Sequence, residues 1–221
     1  MVTIYDIARK SGFSPTTVSK ALNDYPDISA STKSKIRAVA RELGYTPNSS
    51  ARALATSKSW LIGILYNEDL GLGIRHPHFS EIIEKFKERI EKAGYELIFI
   101  GNRIGERHNS VYEHCRYRGV DGVFIANAPD IEGIQGLLNS QIPCVASEPV
   151  ADSITCILSD NVEGSKRAVD YLFSLGHRRV AHIAGPVNAF SSQERINGYM
   201  MSVRAHNTDY PDGIIEVADQ F

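Results

Sequence analysis

The sequence predicts an α/β chain in two parts, an all-α helix-turn-helix head followed by a doubly wound parallel-sheet core. Three observations predict it. Helical apolar spacing punctuated by caps fills residues 1–46. Short apolar runs alternating with amphipathic stretches fill residues 60–221. Charge divides at the same place: residues 1–59 carry nine Lys or Arg against four acids, +5, and the rest fifteen against twenty-two, −7, within a chain of net charge −2. A basic head suits a polyanion, and an acidic body discourages indiscriminate adhesion to it.

In the head, Thr3 and Asp6 suit a helix N-terminus, and Ile4, Ile7 and Ala8 form one apolar face ending at Gly12. Phe13 is expected in the core. Ser14 is placed to cap a second helix with Pro15 in its first turn, running to about Leu22. Val18, Ala21 and Leu22 then point inward, leaving Pro15, Thr16, Thr17, Ser19 and Lys20 outward. A face of short hydroxyls and one lysine, without an acid, can lie against phosphates and base edges. A third helix presents Ile36, Val39, Ala40 and Leu43 and closes at Gly44. Tyr45-Thr46-Pro47 breaks the chain, and Asn48 to Ala55 could form a short helix only against a partner, with Leu54 its single large apolar side chain. The organisation is therefore 1–46 head, 47–59 hinge and linker, and 60–221 core.

In the core, Leu61 to Leu65 suits a buried parallel strand and Phe79 to Ala93 an amphipathic helix. The alternation continues with a strand at Glu96 to Ile100, a helix at Ser110 to Arg118, a strand at Gly122 to Ala126, a helix at Ile131 to Leu138 and a strand at Pro143 to Ala146. A short strand near Thr155 to Leu158 precedes a helix at Val162 to Leu175, a strand at Val180 to Ala184, a helix near Glu194 to Ala205 and a strand at Ile214 to Val217. Ligands of such sheets bind at the carboxyl ends of the strands. No apolar stretch approaches a membrane span, no secretory signal is visible, and Cys115, Cys144 and Cys156 show no paired spacing, which together point to a cytoplasmic protein with reduced thiols.

Ile4-Tyr5-Asp6-Ile7-Ala8, Ser14 to Asn23, Gly44-Tyr45-Thr46-Pro47-Asn48 and Ala51-Arg52-Ala53-Leu54 resemble the LacI/GalR family of bacterial transcription regulators. The resemblance continues through the core, implying a periplasmic-binding-protein-like fold of two subdomains, about 60–158 and 159–221, with a cleft between them. It also implies that the second helix reads a major groove, with Pro15, Thr16 and Lys20 at base edges. Tyr5, Ser14, Thr17, Ser19, Asn23, Ser29 and Thr32 would mainly hold phosphates, while Asn48, Ala51 and Leu54 would belong to a minor-groove hinge, Leu54 wedging a base step. For Lys20, base and phosphate contact are both open. The implied partners are a pseudo-palindromic double-stranded operator, a second copy of the chain and a small-molecule effector, with no cofactor and no membrane. Family chains run well beyond Phe221, so the resemblance implies a C-terminally truncated chain with an incomplete sensor.

The effector residues expected at the strand ends are His78, Phe79, Glu148, Phe190, Ser191 and Arg195. In the family, the arginine of an Arg-x-x-Gly pattern, here Arg195 to Gly198, often hydrogen-bonds sugar hydroxyls, and a guanidinium fork suits vicinal oxygens. Glu148 could accept from hydroxyls, and Asp160 with Asn161 is an alternative. For Phe79 and Phe190, core packing competes with ligand stacking. Arg195 and Glu148 favour a carbohydrate over a purine. Gly71-Leu72-Gly73 lacks the third glycine and the preceding strand of a dinucleotide fingerprint. No histidine group has zinc spacing and no Ser, His and Asp arrangement suggests catalysis, so no metal site and no enzyme are expected. The competing readings are a DNA-binding fragment without effector response and a sugar-binding module without DNA function.

Overall fold

The computed structural model describes residues 2–46, 53, 58–67, 72–127, 133–187, 189–206, 208–210 and 212–218. The chain divides into two compact units, residues 1–61 with 119–121, and residues 62–118 with 122–221.

In the first unit, α1 (Ile4–Ser11), α2 (Pro15–Leu22) and α3 (Ala30–Glu42) surround a core of Ile7, Val18, Ala21 and Ile36, all fully buried, with Ala8 and Ala40. Phe13 packs against it. The starts are set by side chains: the Asp6 carboxylate accepts from the Thr3 amide at 2.9 Å, Ser14 Oγ from the Thr17 amide at 3.1 Å, and Ser29 Oγ from the Thr32 amide at 3.2 Å. Left-handed Gly12 ends α1, and Gly44 follows the end of α3. The unit also holds the entry into the core. The Asp121 carboxylate accepts from the amides of Ser59 and Trp60 at 2.9 and 3.0 Å and from the Ser59 hydroxyl at 3.1 Å, with Trp60 at φ 61°.

In the second unit, β1 (Leu61–Tyr66), β2 (Glu96–Phe99), β5 (Gly122–Asn127), β6 (Cys144–Ala146) and β7 (Thr155–Cys156) form one sheet in the order β2-β1-β5-β6-β7. From β1 to β7 the strands are parallel. Both faces of β1 and β5 are buried. Ile64, Phe124 and Ala126 meet Phe79 and Ile83 of α4 (Pro77–Lys92). Leu65 and Ile125 face the other side, the side of Cys144, which lies within electrostatic reach of Cys115 on α5 (Val111–Arg118). All three cysteines are free, and burial pushes the Cys115 thiol up to about 12, leaving it unreactive.

The short helix α6 (Ile134–Leu138) starts after Gly133 in a left-handed conformation, within the span expected from Ile131. A second parallel sheet pairs β8 (His182–Ala184) with β9 (Ile215–Val217), packed with α7 (Asn161–Ser174) and α8 (Phe190–Ala205) around buried Tyr199, Val203, Val169 and Phe173.

Among the described residues, three differences from expectation stand out. The strand expected from Val180 begins at His182, because the Val180 amide bonds the Tyr210 hydroxyl at 2.9 Å and its carbonyl accepts the Tyr199 hydroxyl at 2.8 Å. The helix expected from Glu194 begins at Phe190, with Ser192 turned inward to donate to the Gly185 carbonyl at 2.9 Å. A hairpin absent from the sequence expectation, β3 (Arg103–Ile104) with β4 (Arg107–His108), turns through Gly105 at φ 60°. Among the described residues, no helix is long and apolar enough to cross a membrane.

Candidate DNA-reading face and effector cleft

The head owes its outward face to its core. Burying Val18 and Ala21 on one side of α2 forces Thr16, Thr17, Ser19 and Lys20 to the other. Pro15, Thr16 and Lys20 all retain exposure there, and Tyr5 on α1 is 65 % exposed. Ser14 and Ser29 already have work as caps, and each hydroxyl pairs with the threonine three residues on, Thr17 at 2.8 Å and Thr32 at 2.9 Å. Two capped helix N-termini on exposed loops suit phosphate oxygens, since amides and hydroxyls converge where the helix dipole is positive. Asn23 donates from its side-chain amide to the Ser19 carbonyl at 3.0 Å, holding the end of α2. Asn48, Ala51 and Leu54 lie outside the described residues.

Two acids beside this face escape the sequence reading. Asp27 accepts from the Lys20 ammonium at 2.5 Å, and Asp24 pairs with Arg37 at 2.6 Å and Lys33 at 3.4 Å. These hydrogen-bonded cations hold both carboxyls below the usual range, and Asp27 raises Lys20. The sequence signal for Asp27 is weak. It stands seven residues from Lys20, across a turn held by the Tyr25 amide on the Lys20 carbonyl, by Ile28 packed against the head core and by the Ser29 cap.

In the core, Arg195 comes off the first turns of α8 and donates from Nε to Asn161 Oδ1 at 2.9 Å, while its own carbonyl accepts the Ser165 hydroxyl at 2.7 Å. The approach of α8 to α7 that permits this is made at Gly198, where a Cβ would lie 2.1 Å from the Val162 carbonyl oxygen. Glu148 follows β6 with its carbonyl accepting the Cys156 thiol at 3.4 Å. Burial pushes its carboxyl up, and Arg195 partly offsets this. His182 is pushed down by burial and by Arg195. Asn161 is thus linked to Arg195 by a hydrogen bond, and Glu148 and His182 both feel the Arg195 charge. Nothing in the sequence points to His182, and Asn161 enters there only as an alternative.

The remaining effector residues sit differently. At the carboxyl end of β1, Phe79 is buried in the core and ringed by Tyr66, His76 and His78, with centroids 5.3, 5.0 and 5.1 Å away. His78 is exposed and edge-on to Phe79. Phe190 begins α8 at 41 % exposure and Ser191 is half-buried beside it. Among the described residues, no group of three or more His, Cys, Asp or Glu could hold a metal ion.

Comparison with known proteins places this geometry. Residues 3–48 match the bacterial regulatory proteins of the lacI family, and residues 59–215 match the periplasmic binding proteins and sugar binding domain of the LacI family. The chain is 37 % identical over 211 residues to the "Probable HTH-type transcriptional repressor ExuR" of Bacillus subtilis (strain 168), covering 94 % of this chain and 62 % of that protein. A lac repressor dimer bound to operator and the anti-inducer ONPF superposes with a TM-score of 0.74 at 26 % identity, over 99 % of this chain and 66 % of that one. A CelR–cellobiose complex shares the fold, with a TM-score of 0.58 at 23 % identity, over 99 % and 66 % of the two chains. This chain therefore spans about two thirds of the length of these relatives. It belongs to the LacI/GalR family of bacterial transcriptional regulators, an α/β architecture of helix-turn-helix head and periplasmic-binding-protein-like core.

Proposed function

We propose that the chain is the DNA-reading and ligand-sensing part of a repressor that binds a pseudo-palindromic operator as a homodimer and is controlled by a carbohydrate effector. The observation that supports it most is α2, whose buried Val18 and Ala21 leave an outward face with Pro15, Thr16 and Lys20 on it. On this reading Pro15, Thr16 and Lys20 meet base edges. Tyr5, Ser14, Thr17, Ser19, Asn23, Ser29 and Thr32 hold the backbone, and Asn48, Ala51 and Leu54 enter the minor groove. The operator-bound dimer of the lac repressor supports the stoichiometry, and the cellobiose complex of CelR supports a carbohydrate as the ligand class. In the core, Arg195 and Glu148 would grip ligand hydroxyls as donor and acceptor, with Phe190 and Ser191 at the entrance to the site and exposed His78, backed by the core ring of Phe79, on its first-strand side. Ligand binding would favour one closure state and thereby alter hinge ordering on DNA.

The test is selection of bound duplexes from a random library, followed by titration of the selected site and a scrambled duplex at matched salt. Lys20→Ala is expected to weaken the selected site about 5- to 100-fold, as one base contact or a tight phosphate contact would require, and the scrambled site much less. Equal affinity of the unaltered chain for both duplexes contradicts the proposal.

A further inference from the structure

Asp27 lies on the short connection between α2 and α3, and the two residues that follow it are anchored. Ile28 packs against the head core and Ser29 caps α3. Its carboxylate receives the Lys20 ammonium at 2.5 Å, and the backbone beneath is tied down because the Tyr25 amide donates to the Lys20 carbonyl at 3.0 Å. Both side chains remain exposed, Lys20 at 41 % and Asp27 at 51 %. At the outward face of α2 a cation and an anion therefore stand side by side, in place of a free lysine.

A pair of this kind has two consequences on DNA. Its net charge is zero, so it attracts phosphates less than a free ammonium would and releases fewer counterions. Its two heads match the major-groove edge of one base pair: guanine offers O6 and N7 as acceptors, and the cytosine opposite offers the N4 amino donor next to O6. An ammonium directed at O6 and N7 leaves the neighbouring carboxylate facing the amino group. Opening the ion pair is then offset twice at a G·C pair and only once at a phosphate.

Resting on the reading of α2 as the DNA-reading helix, we propose that Asp27 is a specificity-determining residue that acts with Lys20 to read one G·C pair in each half-site. Lys20 donates to guanine, Asp27 accepts from cytosine, and on DNA lacking that pair Asp27 keeps Lys20 from capturing phosphate.

The experiment uses the whole chain, its best duplex from the random-library selection, the same duplex with that G·C pair changed to A·T, and a scrambled duplex, each titrated over a salt series. The unaltered chain is expected to prefer G·C over A·T at one position per half-site by about tenfold or more. Asp27→Asn is expected to cut that preference at least threefold. It should also steepen the salt dependence on scrambled DNA by about 0.9 in log K per log salt, the change produced when the freed ammonium neutralises one more phosphate. Asp27→Glu, which restores the anion, should recover most of both. In a Lys20→Ala background, Asp27→Asn should leave the salt dependence on scrambled DNA unchanged. Circular dichroism melting of each variant reports whether the head remains folded.

Full G·C preference with an unchanged salt slope in Asp27→Asn overturns the role of Asp27 while leaving α2 as the reading helix. A slope change that persists without Lys20 also overturns it, since the charge then acts alone. Loss of preference in Lys20→Ala with none in Asp27→Asn separates the two claims in the same direction. If the unaltered chain selects no sequence, the DNA-reading proposal fails first and this one with it.

Discussion

Replacing Gly198 by Ala tests the packing that positions Arg195. A Cβ at this position would lie 2.1 Å from the Val162 carbonyl oxygen, 3.0 Å from the Lys166 amide nitrogen and 3.0 Å from Ser165 Cβ. Carbon–oxygen distances settle near about 3.3 Å, so α7 and α8 must part by about 1 Å, and the opposing atom is backbone that no rotamer change can move. Overpacking of this severity costs about 3 kcal/mol, while exchanging Gly for Ala inside a helix returns about 1 kcal/mol. The net loss of about 2 kcal/mol corresponds to a fall of roughly 4–8 °C in the melting temperature of a domain of this size.

Arg195 stands one turn before Gly198, so the same displacement pulls its Nε from Asn161 Oδ1, 2.9 Å away in the unaltered chain, and should weaken the binding of any ligand that uses the guanidinium. Calorimetric melting of Gly198→Ala beside Gly164→Ala gives an internal control. Gly164 lies in α7 with nothing within 4 Å of its notional Cβ, and there Ala should stabilise by up to about 1 kcal/mol. A Gly198→Ala chain that melts at or above the unaltered one refutes the close-approach argument. So does equal behaviour of the two variants.

Two further outcomes are expected. Tyr199 is fully buried, and its hydroxyl donates to the Val180 carbonyl at 2.8 Å while accepting from the Ile214 amide at 2.8 Å. Tyr199→Phe strands both groups and should cost about 1–3 kcal/mol in urea unfolding without changing the m-value; an unaltered midpoint would show that neither bond matters. Burial pushes the Glu148 carboxyl above its ordinary 4.5, so the folded state holds its proton more tightly than the unfolded chain. The associated stability is complete below the unfolded value and is lost as pH rises through the folded one. Glu148→Gln should therefore gain in melting temperature on the unaltered chain from about pH 4 to about pH 8, and a difference that is flat or reversed across that range counts against a desolvated carboxylate.

Legibility follows the distance over which each feature is decided. Helix α2 can be read end to end because its cap, its proline and its apolar spacing all lie close together in the chain. Helix α8 starts before its expected place at Glu194, since Ser191, Ser192 and Gln193 look like loop until Ser192 is seen turning into the Gly185 carbonyl. The β3–β4 hairpin carries no apolar alternation, although Gly105-Glu106 between two short pairs is a recognisable turn signal. In the candidate cleft, Arg195 and Glu148 can be named from their places after strands, but their mutual field and the inclusion of His182 and Asn161 follow from how α7, α8 and β8 pack.

By itself, the sequence determined the division into basic head and acidic α/β core, the three capped helices and the family, because caps, periodicity and composition act locally along the chain. Tertiary structure alone decided which polar groups meet across the chain. It brought Asp27 onto Lys20, Asp121 onto the residues entering β1, and Asn161 onto Arg195. Electrostatic and hydrogen-bond partners are set by distance in space, and a gap of seven, sixty-one or thirty-four residues in the chain leaves no periodic trace of that distance.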